Sequence, residues 1–133
     1  MKKDEAAFLE MMLNSISAQV TTEVVAPSLI AMANARTSAE KSEYGLLIQR
    51  AEAVQDWIKA LIYDVKRAVE KALVEKIRRD EMFDWDRKLA SLETKLIDCR
   101  YVGQRLKDQK IVDAVIKIIN RVESLRAHIK KWW

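Results

Sequence analysis

Glycine, proline, cysteine and histidine are nearly missing from this chain of 133 residues, which holds two glycines, one proline, one cysteine and one histidine. A β-sandwich, a barrel or an α/β fold turns too often to be built with so few turn residues, so the scarcity points to helices. The single thiol, Cys99, cannot form an internal disulfide and suits a reducing compartment. With only His128 to join it, it also lacks the ligand set of a structural zinc site, and a small apolar filler on a helix seam is expected instead. There is no Gly-rich phosphate loop, no Glu-x-x-His of the di-iron type and no Ser/His/Asp set on a usable turn. No catalytic residue, metal or cofactor is therefore assigned, and an enzyme is not expected.

Long hydrophobic runs are missing too. No uncharged stretch exceeds 12 residues, against the roughly 18 needed to span a bilayer. Met1-Lys2-Lys3 resembles the opening of a signal peptide, and Ala31-Met32-Ala33 and Ala33-Asn34-Ala35 imitate a cleavage site. Glu10, Asn14, Gln19 and Glu23 interrupt any apolar segment between them. The expectation is a cytoplasmic protein without a membrane span.

What the chain does have is heptad-like spacing. Half its residues are hydrophobic and a third charged, the mixture of a soluble, ion-paired helical protein. Apolar positions recur at alternating steps of three and four, which gathers them on one seam of a helix. The chain is long enough for one domain with a real core, residues 1–133.

A first helix is predicted from about Asp4 to Arg36, with Leu9, Leu13, Ile16, Val20 and Val24 on its inner face. Its middle is weak, because Val20, Thr21, Thr22, Val24 and Val25 are β-branched and Pro27 removes a backbone donor. A kink or short break is expected between Thr21 and Pro27. Thr37-Ser38-Ala39-Glu40 reads as a capping box, with the Thr37 hydroxyl on the amide of Glu40 and Glu40 reaching back to the amide of Thr37. The second helix carries Tyr44, Leu47, Ile48, Ala51, Val54, Ile58, Leu61, Ile62, Val65, Val69, Leu73 and Ile77. Unbroken to Arg79 it would be about 63 Å long.

Between Ile77 and Trp85 the phase slips. A tight reversal is expected here, with Arg78 and Arg79 ending one helix and Asp80 or Asp84 capping the next. The third seam is Trp85, Leu89, Leu92, Leu96, Cys99, Gly103 and Leu106, and the fourth is Ile111, Val115, Ile118, Val122, Leu125, Ile129 and Trp132. Between these two a continuous helix is the expectation, because no proline or turn dipeptide enforces a stop, and a split is the alternative. A continuous helix with a local distortion makes an elongated antiparallel bundle of three long helices, the first kinked near Pro27. A split near 104–109, with Gly103 ending one helix and Asp108 capping the next, makes a four-helix arrangement.

Charge is unevenly spread. The last 25 residues hold Lys110, Lys117, Arg121, Arg126, Lys130 and Lys131 against Asp113 and Glu123, which accounts for the whole net charge of +4. On a helical wheel Lys110, Lys117, Arg121, His128 and Lys131 fall within an arc of roughly 80° opposite the apolar seam. Such a stripe could follow a phosphate backbone, or it is simply a solvated helix face. The sequence Lys130-Lys131-Trp132-Trp133 suits the closing of a bundle end, a partner contact or, less well, a membrane interface. Trp57 and Trp85 are expected in the core. Glu40/Glu43 and Glu81/Asp84 are each one turn apart, but some 40 residues of helix separate the pairs, so capping and ion pairing account for them better than a metal does.

The reading that unites these features is a non-enzymatic assembly protein. Leu47 beside Ile48, Leu61 beside Ile62, Leu96 beside Ile97, Ile111 beside Val112 and Ile118 beside Ile119 exceed what a thin bundle can hide. The surplus is expected to meet a second copy of the chain or another helical protein. A sequence-nonspecific nucleic-acid-binding subunit using the basic last helix, and attachment of Lys-Lys-Trp-Trp to an anionic membrane, are the alternatives.

Overall fold

A computed structural model describes residues 1–72 and 76–133. Four helices run up and down in sequence: α1, Lys3–Ala33; α2, Ser38–Lys71; α3, Arg79–Arg105; and α4, Gln109–Trp132. Each packs on its neighbour in the chain, and α1 also packs on α4, which closes the ring. The fold is an all-α bundle, and of the two readings of the last third the split into two helices is the observed one.

The split follows from local chemistry. The amide of Lys107 donates to the carbonyl of Gln104 (3.0 Å) and that of Asp108 to Gly103 (3.1 Å), which terminates α3 in a Schellman motif. Lys107 takes the left-handed position at φ 57°, where glycine is the usual occupant. Asp108 then caps α4 by accepting from the amide of Ile111 at 3.2 Å. Gly103 therefore does not terminate the helix as expected. A Cβ there would lie 3.0 Å from a methyl of Val112, so this glycine lets α4 turn back closely against α3.

The seams assemble as the spacing implies. Leu9, Leu13, Ile16, Leu47, Val54, Ile58, Leu89, Val115, Ile118 and Ile129 are completely buried, and Trp85 and Cys99 are buried among them. Burial pushes the Cys99 thiol up to about 12, as expected of an inert apolar filler. Leu73 lies outside the described residues.

Three further expectations are refined or corrected. The first helix is distorted in the expected stretch between Thr21 and Pro27, but it does not break there. It widens into a π-helical turn over Thr21–Val25, where the amide of Ala26 reaches back five residues to Thr21. A proline ring clashes with the carbonyl four residues earlier, and one extra residue in the turn upstream relieves that clash without ending the helix. Gln55 of α2 steadies the turn by donating to the carbonyl of Ser17 (3.1 Å) and to the hydroxyl of Thr21. Second, α2 does not reach Arg79; it ends at Lys71, about 51 Å of helix. Ile77 is still buried, but on an extended segment whose amide donates to the carbonyl of Met1. Accordingly α3 starts at Arg79 with Arg78 at its N-cap, and neither Asp80 nor Asp84 caps it. Third, Trp57 is 40 % exposed and carries Lys95 over its ring at 4.7 Å. Both Val54 and Ile58 fill the inner face there, and Trp57, about 100° round the helix from Ile58, falls outside it.

Candidate interaction surfaces

The apolar doublets that suggested surplus surface are consumed inside one subunit. Leu47, Ile48, Leu61, Ile62, Leu96, Ile111, Val112, Ile118 and Ile119 are all buried, and Ile97 is half-buried against the core. Four helices in a closed ring offer each helix two neighbours, so three to four positions per heptad are hidden where a thinner bundle hides fewer. The unpartnered apolar surface lies elsewhere.

Apart from Met11, the most exposed aliphatic side chains lie on the second half of α1. Val24 to Ala35 is a run without charge. Within it the chain buries Ser28 completely and leaves Leu29 and Ile30 exposed at 47 % and 65 %. The Ser28 hydroxyl has no hydrogen-bond partner among the described residues. Hydrophobic burial alone would favour the opposite arrangement. Ala26, Leu29, Ile30 and Ala33 follow the i, i+3, i+4, i+7 spacing of one helix face, and all four are exposed. An 18-residue apolar window of α1 is only 22 % buried, and α1 is the one helix among the described residues long and apolar enough to cross a membrane by length and composition. Glu23 interrupts this stretch without much lowering its average hydropathy. Val20 and Val24 nevertheless seat this part of α1 in the bundle core.

The basic face of α4 is broken up by packing. Arg121 donates to Oε1 of Gln19 (2.6 Å) and Oγ of Ser15 (2.9 Å) on α1. Arg126, off the stripe, is held by Asp86 (2.8 Å) and Glu93 (3.1 Å) of α3, and the bond to Asp86 above all raises its pKa. His128 lies in an aromatic group, 6.0 Å from the Trp132 ring and 6.1 Å from Phe8. Of the stripe, Lys110, Lys117 and Lys131 remain exposed without an ion pair among the described residues. Lys110 and Lys117 are one another's neighbours two turns apart, whereas Lys131 stands at the far end of the helix.

Trp132 and Trp133 are both half-buried against the core. Trp132 meets the edge of Phe8 at 6.2 Å, and Trp133 meets Phe83 at 4.5 Å. The Trp133 carbonyl accepts from Arg79 at 2.6 and 3.2 Å, which ties the end of α4 to the start of α3.

Glu40, Glu43 and Asp84 are occupied by caps and ion pairs. Glu40 is the reciprocal half of the capping box, although it accepts from the amide of Arg36 (3.2 Å), one residue before the expected Thr37. Thr37 accepts from the amide of Glu40 as expected, at 3.1 Å. Glu43 receives Arg105 at 3.0 Å. Asp84 pairs with Lys88 at 2.9 Å, and Lys88 also bonds Asp64, which raises the pKa of its ammonium. These last groups line an open cleft of about 400 Å³ between α2 and α3, together with Arg67 and Lys71. Among the described residues no cluster of three or more His, Cys, Asp or Glu could hold a metal ion. Neither the exposed Leu29/Ile30 face nor the dismantled stripe was foreseen; the first was legible as an i, i+3, i+4, i+7 set, the second depended on what α1 places beside α4. No protein family matches this chain, and no curated protein or solved structure is detectably similar to it.

Proposed function

We propose that this protein is a non-enzymatic helical assembly protein, which docks the outer face of the second half of α1 against another helix. The observation that carries this reading is the inverted burial at 28–30, a serine inside and Leu29 and Ile30 outside. The most economical partner is the same face of a second copy. A two-fold axis across α1 lets one patch serve both subunits, and Ala26 and Ala33 are small enough for two backbones to approach. Burying two large aliphatic side chains from each copy contributes on the order of 6 kcal/mol before the cost of association, so micromolar self-association, about 8 kcal/mol net, also needs the close helix packing that Ala26 and Ala33 permit.

Light scattering at micromolar concentration is expected to report twice the mass of one chain. Leu29→Glu/Ile30→Glu is expected to give a monomer with unchanged helical content, since neither side chain belongs to the core. A wild-type monomer throughout the micromolar range overturns self-association.

A further inference from the structure

The end of the bundle opposite the α1–α2 turn is assembled from three segments far apart in the sequence. Lys2 and Lys76 face each other in an antiparallel bridge, beside the bond from Ile77 to Met1. Arg79 of the adjoining turn holds the Trp133 carbonyl, and Phe83 holds the Trp133 ring. Residues 1–3, 76–79 and Trp133 therefore meet at this end, and Lys130 and Lys131 lie in the last turn of α4 just before it, Lys130 on the flank beside Glu93, Glu123 and Arg126.

Local stability does not account for its composition. Like charges directly opposite across a bridge repel. Lys2 and Arg78 occupy the N-caps of α1 and α3, where an acceptor side chain is favoured, and neither makes a side-chain cap. Lys2, Lys76, Lys130 and Lys131 are exposed and have no ion pair among the described residues. Asp4, Glu5, Asp80 and Glu81 share these turns, and Asp80 is taken by Arg78 at 3.1 Å, but the cations outnumber them. Among the cations stand Trp132 and Trp133, half-buried, and Phe83, 45 % exposed.

We infer that this end of the bundle docks on an anionic phospholipid surface. Lysines around indole rings match a layer of negative headgroups over an apolar interior, because the rings are favoured at headgroup depth while ammonium groups stay in water. A patch across the end of a rod meets a plane; a nucleic-acid strand calls for a lengthwise rail, and Arg121 in the middle of α4 is already bound to α1. This docking does not depend on self-association through α1.

The test uses the full chain with vesicles of phosphatidylcholine alone, or with about one-third phosphatidylserine, and a single-stranded oligonucleotide as competitor. Co-sedimentation with the anionic vesicles only, a blue shift of tryptophan emission, and weakening by salt are expected. Lys130→Gln/Lys131→Gln and Lys2→Gln/Lys76→Gln should each weaken partitioning about 30-fold, at about fivefold per lysine. Lys110→Gln/Lys117→Gln, at the other end of α4, should leave it unchanged. All four lysines of the test pairs are exposed, and circular dichroism verifies the fold. Equal binding to neutral vesicles, no binding, variants that bind like wild type, or displacement by the oligonucleotide at equal charge overturns the inference.

Discussion

The two ends of the bundle are built on different principles. At one end the α1–α2 and α3–α4 turns are closed by residues within a few positions of each other: Thr37 and Glu40, Gly103 and Asp108, Asp108 and Ile111. Two bonds then join these turns, from the Tyr44 hydroxyl to Asp108 at 2.8 Å and from Arg105 to Glu43 at 3.0 Å. At the other end no side chain caps α1 or α3. Closure there comes from partners at least 50 residues apart: Met1 with Ile77, Arg79 with Trp133, Phe83 with Trp133. Local closure satisfies helix-end backbone groups cheaply and leaves little surface chemistry over. Closure at long range leaves cations and aromatic rings exposed together, which is why that end suggests a ligand and the capped end suggests stability.

If that contrast is right, single substitutions should cost more at the capped end. Asp108→Ala removes the α4 cap and leaves the buried Tyr44 hydroxyl without its acceptor, so urea denaturation should show a loss of about 2–3 kcal/mol. A loss below about 0.5 kcal/mol would break the comparison.

Alkali sharpens it. Burial first, and then the bond to Asp108, hold the Tyr44 phenol up at about 12 against 10.0 in model compounds. The folded state keeps its proton longer than the unfolded chain, so this contribution is whole below pH 10 and is lost as pH rises through about 12. The fall should be about 2 kcal/mol. Tyr44→Phe should remove that part of the pH dependence and leave the part due to Cys99, whose thiol is also held up at about 12.

The smallest effect is expected at the uncapped end. Arg79→Ala deletes two bonds to an exposed carbonyl and should cost about 1 kcal/mol or less globally. Its signature is local, a faster amide exchange in the last turn of α4 with the rest of the helix protected.

Much of the bundle could be read from residue order. The seams of α1, α3 and α4 are buried as spaced, and the Thr37 box and Asp108 cap operate within three residues, at a range where sequence and geometry are nearly the same information. The π-turn was half legible: Pro27 and its β-branched neighbours announced strain, but the bonds that Gln55 of α2 brings to Ser17 and Thr21 were not readable from residue order. The candidate surfaces were less legible still. A heptad pattern says which residues share a face and not how many neighbours that face will have, so the doublets looked surplus until a closed ring of four helices absorbed them. For the same reason Trp57 turned outward and Arg121 left the basic stripe for Gln19 and Ser15.

Residue order by itself determined the helices, their inner faces and the stop at Thr37, and left the stop at Lys107 and Asp108 as one of two readings, because backbone hydrogen bonding and side-chain period act over a few residues. Tertiary structure alone decided that the face legible at Leu29 and Ile30 would stay uncovered, and that Lys2 and Lys76 would meet at the other end. Those outcomes rest on contacts between segments distant in the chain, where burial is settled by the presence of a neighbour and not by the residue's own preference.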